Sequence, residues 1–138
     1  MTSSGYSGTP LIKKLGIKPG YRVRVVNMPH NYRELLGDLP EGVMVTSGPD
    51  ETSDMIHYFA TDREQLHKDI DSLRAGMEAN GMIWVSWYKK SSGMVTDIDE
   101  NTIRDLALKS GLIDVKVCAV DERWSALKLV IRLKDRPK

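Results

Sequence analysis

The sequence predicts a single three-layer α/β domain whose mostly parallel sheet is closed by a C-terminal antiparallel hairpin. Strand-like and helix-like segments alternate through the middle of the chain, the rhythm that builds a parallel sheet with helices on its faces. The run Met82-Ile83-Trp84-Val85-Ser86-Trp87 is almost continuously apolar, as a strand covered on both faces must be. Near the end, two strand-like runs are separated only by Asp121-Glu122-Arg123-Trp124-Ser125, enough for a hairpin and too little for a parallel crossover.

The first element is a short helix, with Thr9 as N-cap, Pro10 at the first helical position, Leu11, Ile12 and Leu15 apolar, and Gly16 as the stop. A turn at Lys18-Pro19-Gly20 leads into a strand over 21–27. Val23 and Val25 alternate there with Arg22 and Arg24, so one face of this strand is expected to be poorly covered. After the breaker run Asn27-Met28-Pro29-His30, the segment 31–36 reads as a short helix closed by Gly37, and 43–46 as a brief strand. A strand over 55–60 follows. Asp62 then caps a helix, with Gln65 in the capping-box position. Leu66, Ile70, Leu73 and Met77 keep helical spacing up to Asn80-Gly81, which should end that helix. Beyond the strand over 82–87 and the loop 88–95, a helix capped by Thr96, Asp97 or Asp99 turns Ile103, Leu106 and Ala107 inward and stops at Gly111. The hairpin strands run over 113–120 and 126–133. Lys128 and Arg132 on the last of them read as protection of an exposed sheet edge.

At 138 residues, with 41% hydrophobic and 28% charged, the chain has the usage of one globular domain. The expected organisation is a flexible tail over 1–8, one α/β domain over 9–134 and a short tail over 135–138. Lys and Arg number 20 against 19 Asp and Glu, a formal charge of +1, so no global field holds a polyanion and no nucleic-acid partner is indicated. The single Cys118 cannot form an internal disulfide, no apolar stretch approaches membrane length, and the amino terminus lacks a signal-peptide pattern. A reducing cytoplasm is the expected location.

Two resemblances follow from these motifs. The turn, strand, strand-helix-strand unit, second helix and closing hairpin resemble the order of a class I methyltransferase, a Rossmann-like fold. Thr9-Pro10-Leu11 with Leu15-Gly16-Ile17-Lys18-Pro19-Gly20, Trp84-Val85-Ser86-Trp87 with Lys89-Lys90-Ser91-Ser92-Gly93, and the run 114–122 resemble the bacterial domain-of-unknown-function 3052 family over nearly the whole chain. The methyltransferase resemblance implies a glycine-rich loop after the first strand, where backbone must approach a cofactor at positive φ. Asn27-Met28-Pro29-His30 holds no glycine. It also implies an acidic residue after the second strand for the ribose hydroxyls, for which Asp50 or Glu51 is the nearest counterpart. The expectation is a truncated methyltransferase-like fold without its cofactor loop, and no cofactor.

In open α/β sheets ligands bind beyond the carboxyl ends of the strands, which selects the loops 27–30, 61–62, 88–93 and 121–125. Two ammonium groups and two hydroxyls in Lys89, Lys90, Ser91 and Ser92 suit a phosphate or carboxylate, although the spacing is not that of a P-loop and a merely solvated loop accounts for it too. Trp84 and Trp87 must point to opposite faces of their strand, leaving Trp87, nearer the loop, to line a pocket. Trp124 beside Asp121 can stack on a planar ligand or cap the sheet. Asn27 completes the candidate set. His30, His57 and His67 have no metal-ligand spacing, Asp121 with Lys89 suggests a rim ion pair, and Cys118 reads as a small buried hydrophobe. Three functions compete: a non-catalytic binding domain holding a small anionic ligand or a protein partner, an atypical methyltransferase or other transferase, and a structural or oligomerisation protein.

Overall fold

The computed structural model describes residues 10–48 and 51–136. The expected tail over 1–8, Thr9 and Asp50 lie outside them, as do residues 137 and 138 of the expected C-terminal tail. Helix α1 (Leu11–Leu15) starts one residue later than expected: Pro10 holds the cap position in an extended conformation, and its carbonyl accepts the first bonds from Lys13 and Lys14. Strand β1 (Arg22–Val26), helix α2 (Tyr32–Leu36) and strand β2 (Met44–Thr46) follow. Strand β3 (Ser53–Phe59) leads to α3 (Arg63–Ala75), whose Asp62 side chain accepts from the Gln65 N–H, satisfying one of the free donors at the helix start. Strand β4 (Met77–Tyr88), α4 (Glu100–Lys109, capped by Asp99), β5 (Leu112–Ala119) and β6 (Trp124–Ile131) complete the order.

Three expectations need correction. Helix α3 ends at Gly76 and not at Asn80-Gly81, because Met77 already pairs with Ser53 as the first residue of β4. Met77 remains buried in the core beneath α3, so the helical spacing was real while the backbone had changed state. Strand β6 ends at Ile131; Leu133 sits in a short 3-10 turn, where Asp135 accepts a 2.8 Å hydrogen bond from Arg132. Strand β6 is also not an edge. The sheet order is β2-β1-β3-β4-β6-β5, so β6 inserts antiparallel between β4 and β5, and Lys128 protects no edge.

The four strands β2, β1, β3 and β4 are parallel. Helices α1 and α2 cover one face through Leu15, Tyr32, Met55, Phe59 and Trp84. Helices α3 and α4 cover the other, over Ile56, Tyr58, Ile83, Val85 and Leu127. Trp84 and Trp87 do point to opposite faces, each into a different core. Strand β1 buries Val23 and Val25 on the α1/α2 face and leaves Arg22, Arg24 and Val26 half-buried on the other, where Val26 packs against the α3/α4 core. No helix of the described residues is long and apolar enough to cross a membrane.

Candidate functional site

Because β1, β3 and β4 are parallel, their carboxyl ends share one edge, and the turn into the antiparallel β6 returns the chain to that same edge. A cavity of about 620 Å³ opens there, within the range of small-molecule sites. One wall is the loop after β1 and the start of α2: Asn27, Pro29, His30, Asn31 and Leu35. Phe59 and Thr61 form the floor at the end of β3. Tyr88 and the turn Asp121, Glu122, Arg123 and Trp124 form the opposite wall.

Asn27 has φ 59, the left-handed region that Asn tolerates better than other side-chain-bearing residues. Its Nδ2 donates to the Phe59 carbonyl at 3.1 Å, tying the β1 loop to the end of β3. The turn thus takes, without a glycine, the positive φ that the methyltransferase resemblance assigns to its missing glycine. Across the cavity the Asp121 carboxylate accepts from the backbone N–H of Arg123 at 2.8 Å and of Trp124 at 2.9 Å, and this fixes the hairpin turn. Among the described residues Asp121 and Lys89 form no ion pair, which corrects the expected rim pair: the carboxylate is occupied by its own turn.

The aromatic residues of the site form a connected stack. Tyr88 lies parallel to Trp124 with centroids 4.1 Å apart, and Phe59 meets Trp124 edge-on at 4.9 Å. Behind Phe59, at 4.2 Å, stacks His57, which is fully buried. Its Nδ1 lies 2.8 Å from the Tyr32 hydroxyl and its Nε2 2.7 Å from the Ser86 hydroxyl. Burial pushes its pKa down to about 3, so the imidazole is neutral, donating through one nitrogen and accepting through the other. All three residues are sealed from solvent, so the chain Tyr32–His57–Ser86 acts as an internal pillar joining α2 to β3 and β4 and holding the α2 wall in place.

Of the candidate residues, Asn27, Asp121 and Trp124 line the cavity. Trp87 does not: it packs against the α3/α4 core, and its neighbour Tyr88 faces the cavity instead. Lys89, Lys90, Ser91 and Ser92 also lie outside the lining. The last three form a 3-10 turn in which the Ser92 hydroxyl donates to the Lys89 carbonyl at 2.6 Å, while the Lys89 N–H donates to the Arg123 carbonyl at 2.8 Å. That turn is fastened beside the cavity rim by backbone. Tyr88 opens the loop 88–93 that the edge rule selects, and Phe59, the last residue of β3, lies just short of the loop 61–62. Cys118 is half-buried on β5, and burial pushes its thiol pKa up. No group of three or more potential metal ligands occurs among the described residues.

Comparison with solved structures places this architecture. A SAM-dependent methyltransferase from Aquifex aeolicus is similar over 88% of this chain and 88% of its own, with a TM-score of 0.60 at 15% identity. The fold is methyltransferase-like. Magnesium protoporphyrin IX methyltransferase (ChlM) from Synechocystis PCC 6803 with bound SAH matches with a TM-score of 0.58 at 12% identity, over 88% of this chain and 79% of that one. LepI in complex with SAM matches with a TM-score of 0.54 at 14% identity over 88% of this chain, which spans only 39% of LepI. No family model and no curated protein matches the chain.

Against this methyltransferase-like frame, the loop after β1 holds no glycine among Asn27-Met28-Pro29-His30. Its one positive φ is that of Asn27. The acidic group after β2 is not found in Glu51, which pairs with Arg22 at 3.5 Å at the opposite, amino-terminal end of β1.

Proposed function

We propose that the chain is an atypical methyltransferase that holds an S-adenosyl nucleoside in the cavity at the carboxyl edge of its sheet. The observation that carries this reading is Asn27 at φ 59, which bends the chain after β1 as close approach to such a ligand requires, inside a fold shared with SAM- and SAH-bound proteins. Phe59, Tyr88 and Trp124 offer apolar rings for the base, and Asn31 and Thr61 offer polar groups. When bound, S-adenosylmethionine supplies an electrophilic methyl group; the protein's part is to orient it and keep water from it. Membership of the domain-of-unknown-function 3052 family and a bacterial cytoplasmic setting belong to the same reading.

Binding without turnover is the second reading, with a small anionic ligand or a protein partner at the same edge and Lys89 and Lys90 at its rim. One observation favours it: the carboxylate on the cavity wall, Asp121, is committed to the backbone of Arg123 and Trp124 and is a poor proton acceptor for an incoming nucleophile. Titration calorimetry with S-adenosylhomocysteine tests both. Binding that Asn27→Val removes supports the S-adenosyl site, since a β-branched residue resists positive φ. Absence of binding at millimolar ligand overturns it. Binding with no loss of the methyl group from S-adenosylmethionine, across a panel of small acceptors and cell extract, favours the second reading.

A further inference from the structure

The sheet face carrying α1 and α2 is covered over β1, β3 and β4 and opens toward β5, where Lys116 is exposed and Cys118, Lys128 and Val130 are half-buried. In this open corner Lys116 and Lys128 are direct cross-strand partners on the same face. Partners of this kind have Cα atoms about 4.5–5.5 Å apart, and like charges placed so are destabilising. The charge of Lys18, just beyond α1, acts on the same point: burial, Lys116 and Lys18 together lower the pKa of Lys128. Among the described residues no carboxylate pairs with any of the three. A carboxylate at either strand position would have turned repulsion into attraction, and a chain of net charge +1 has no general need to crowd cations there.

We propose that Lys18, Lys116 and Lys128 form an anion site for a polyphosphate group, a di- or triphosphate, on this open corner of the sheet, separate from the edge cavity. Two ammonium groups on adjacent strands and a third from the α1 side bracket neighbouring phosphates with charge-assisted hydrogen bonds, and a bridging anion turns the cross-strand repulsion into a shared attraction. Three cations favour several linked phosphates over one.

The test is calorimetric titration of the full chain with tripolyphosphate and with inorganic phosphate at low salt. The variants are Lys116→Gln/Lys128→Gln and the charge-matched control Lys109→Gln/Lys134→Gln, whose lysines are exposed elsewhere. Tripolyphosphate is expected to bind wild type and control alike, and about tenfold or more weaker to the double variant, the loss of at least one charged hydrogen bond. The double variant relieves a like-charge pair and should melt no lower than wild type; if it does, Lys18→Gln, in an exposed position, carries the test with the same expected weakening. Equal weakening in both double variants, inorganic phosphate binding as tightly as tripolyphosphate, or no binding to wild type at millimolar ligand would each overturn the proposal.

Discussion

The Tyr32 hydroxyl lies 2.8 Å from Nδ1 of His57, and this buried contact fastens the helix that walls the cavity to the middle of the sheet. The imidazole it touches is held neutral by burial, its pKa lowered from 6.5 to about 3. Between those values the unfolded chain binds the proton and the folded chain does not, so stability rises with pH across the window. The contribution is complete above about pH 6.5 and is lost as pH falls toward 3, at up to about 1.4 kcal/mol per pH unit. Urea unfolding at pH 7 and pH 5 should show this slope in wild type and a flatter one in His57→Gln, whose overall stability is lower because Tyr32 and Ser86 lose their shared partner. Parallel slopes in the two proteins would show that His57 does not titrate in this way.

Gly81 marks the irregularity where β4 slips against β3, between the pairs Ser53–Met77 and Met55–Met82. A Cβ there would stand 2.7 Å from the Asp54 carbonyl oxygen, a backbone atom that cannot step aside alone. Gly81→Ala should therefore cost about 2 kcal/mol, in the range of other overpacked positions. Gly93→Ala is the comparison: its Cβ meets nothing within 4 Å and its φ 77, ψ 0 is left-handed helical, so only that modest backbone strain is added. Thermal melts of the two variants separate steric overlap from backbone strain, with Gly81→Ala expected to fall further.

Trp124 joins the cavity wall to the core, stacked on Tyr88 and edge-on to Phe59, and is only 6% exposed. Trp124→Ala should cost about 3–5 kcal/mol, while Trp124→Phe keeps an aromatic wall and loses less. Denaturant unfolding monitored by far-UV circular dichroism measures both. If the S-adenosyl reading holds, Trp124→Phe should bind S-adenosylhomocysteine with a measurable but reduced affinity.

Much of this architecture is legible in residue order, for reasons that also set the limits. The Asp62–Gln65 cap and the spacing of Leu66, Ile70 and Leu73 specify a helix, but Met77 satisfies the same period while lying in a strand, because both conformations bury it in one core. The hairpin at 120–123 is dictated by its length. Which of its strands pairs with β4 is not, since the partners Ile83–Leu129 and Val85–Leu127 match on packing that only the assembled sheet reveals. In the cavity, strand order led to Asn27, Asp121 and Trp124. Trp87, preferred to Trp84 for its place near the loop, faces the α3/α4 core while the adjacent Tyr88 faces the cavity, because residue order alone does not say which face of the strand borders the edge.

The insertion of β6 between β4 and β5 sets the spatial order against the temporal one. Among the described residues β5 hydrogen-bonds to no strand but β6. A growing chain therefore carries β5 without a neighbour and β4 with an open side until residues 124–131 have emerged. Until then the apolar side chains of β4, Trp84 and Val85 among them, border an unfilled slot that any extended segment can enter. Strand β6 thus acts as a keystone: β4 and β5 join into one sheet only when it enters between them, so their pairing is expected to form in a single step.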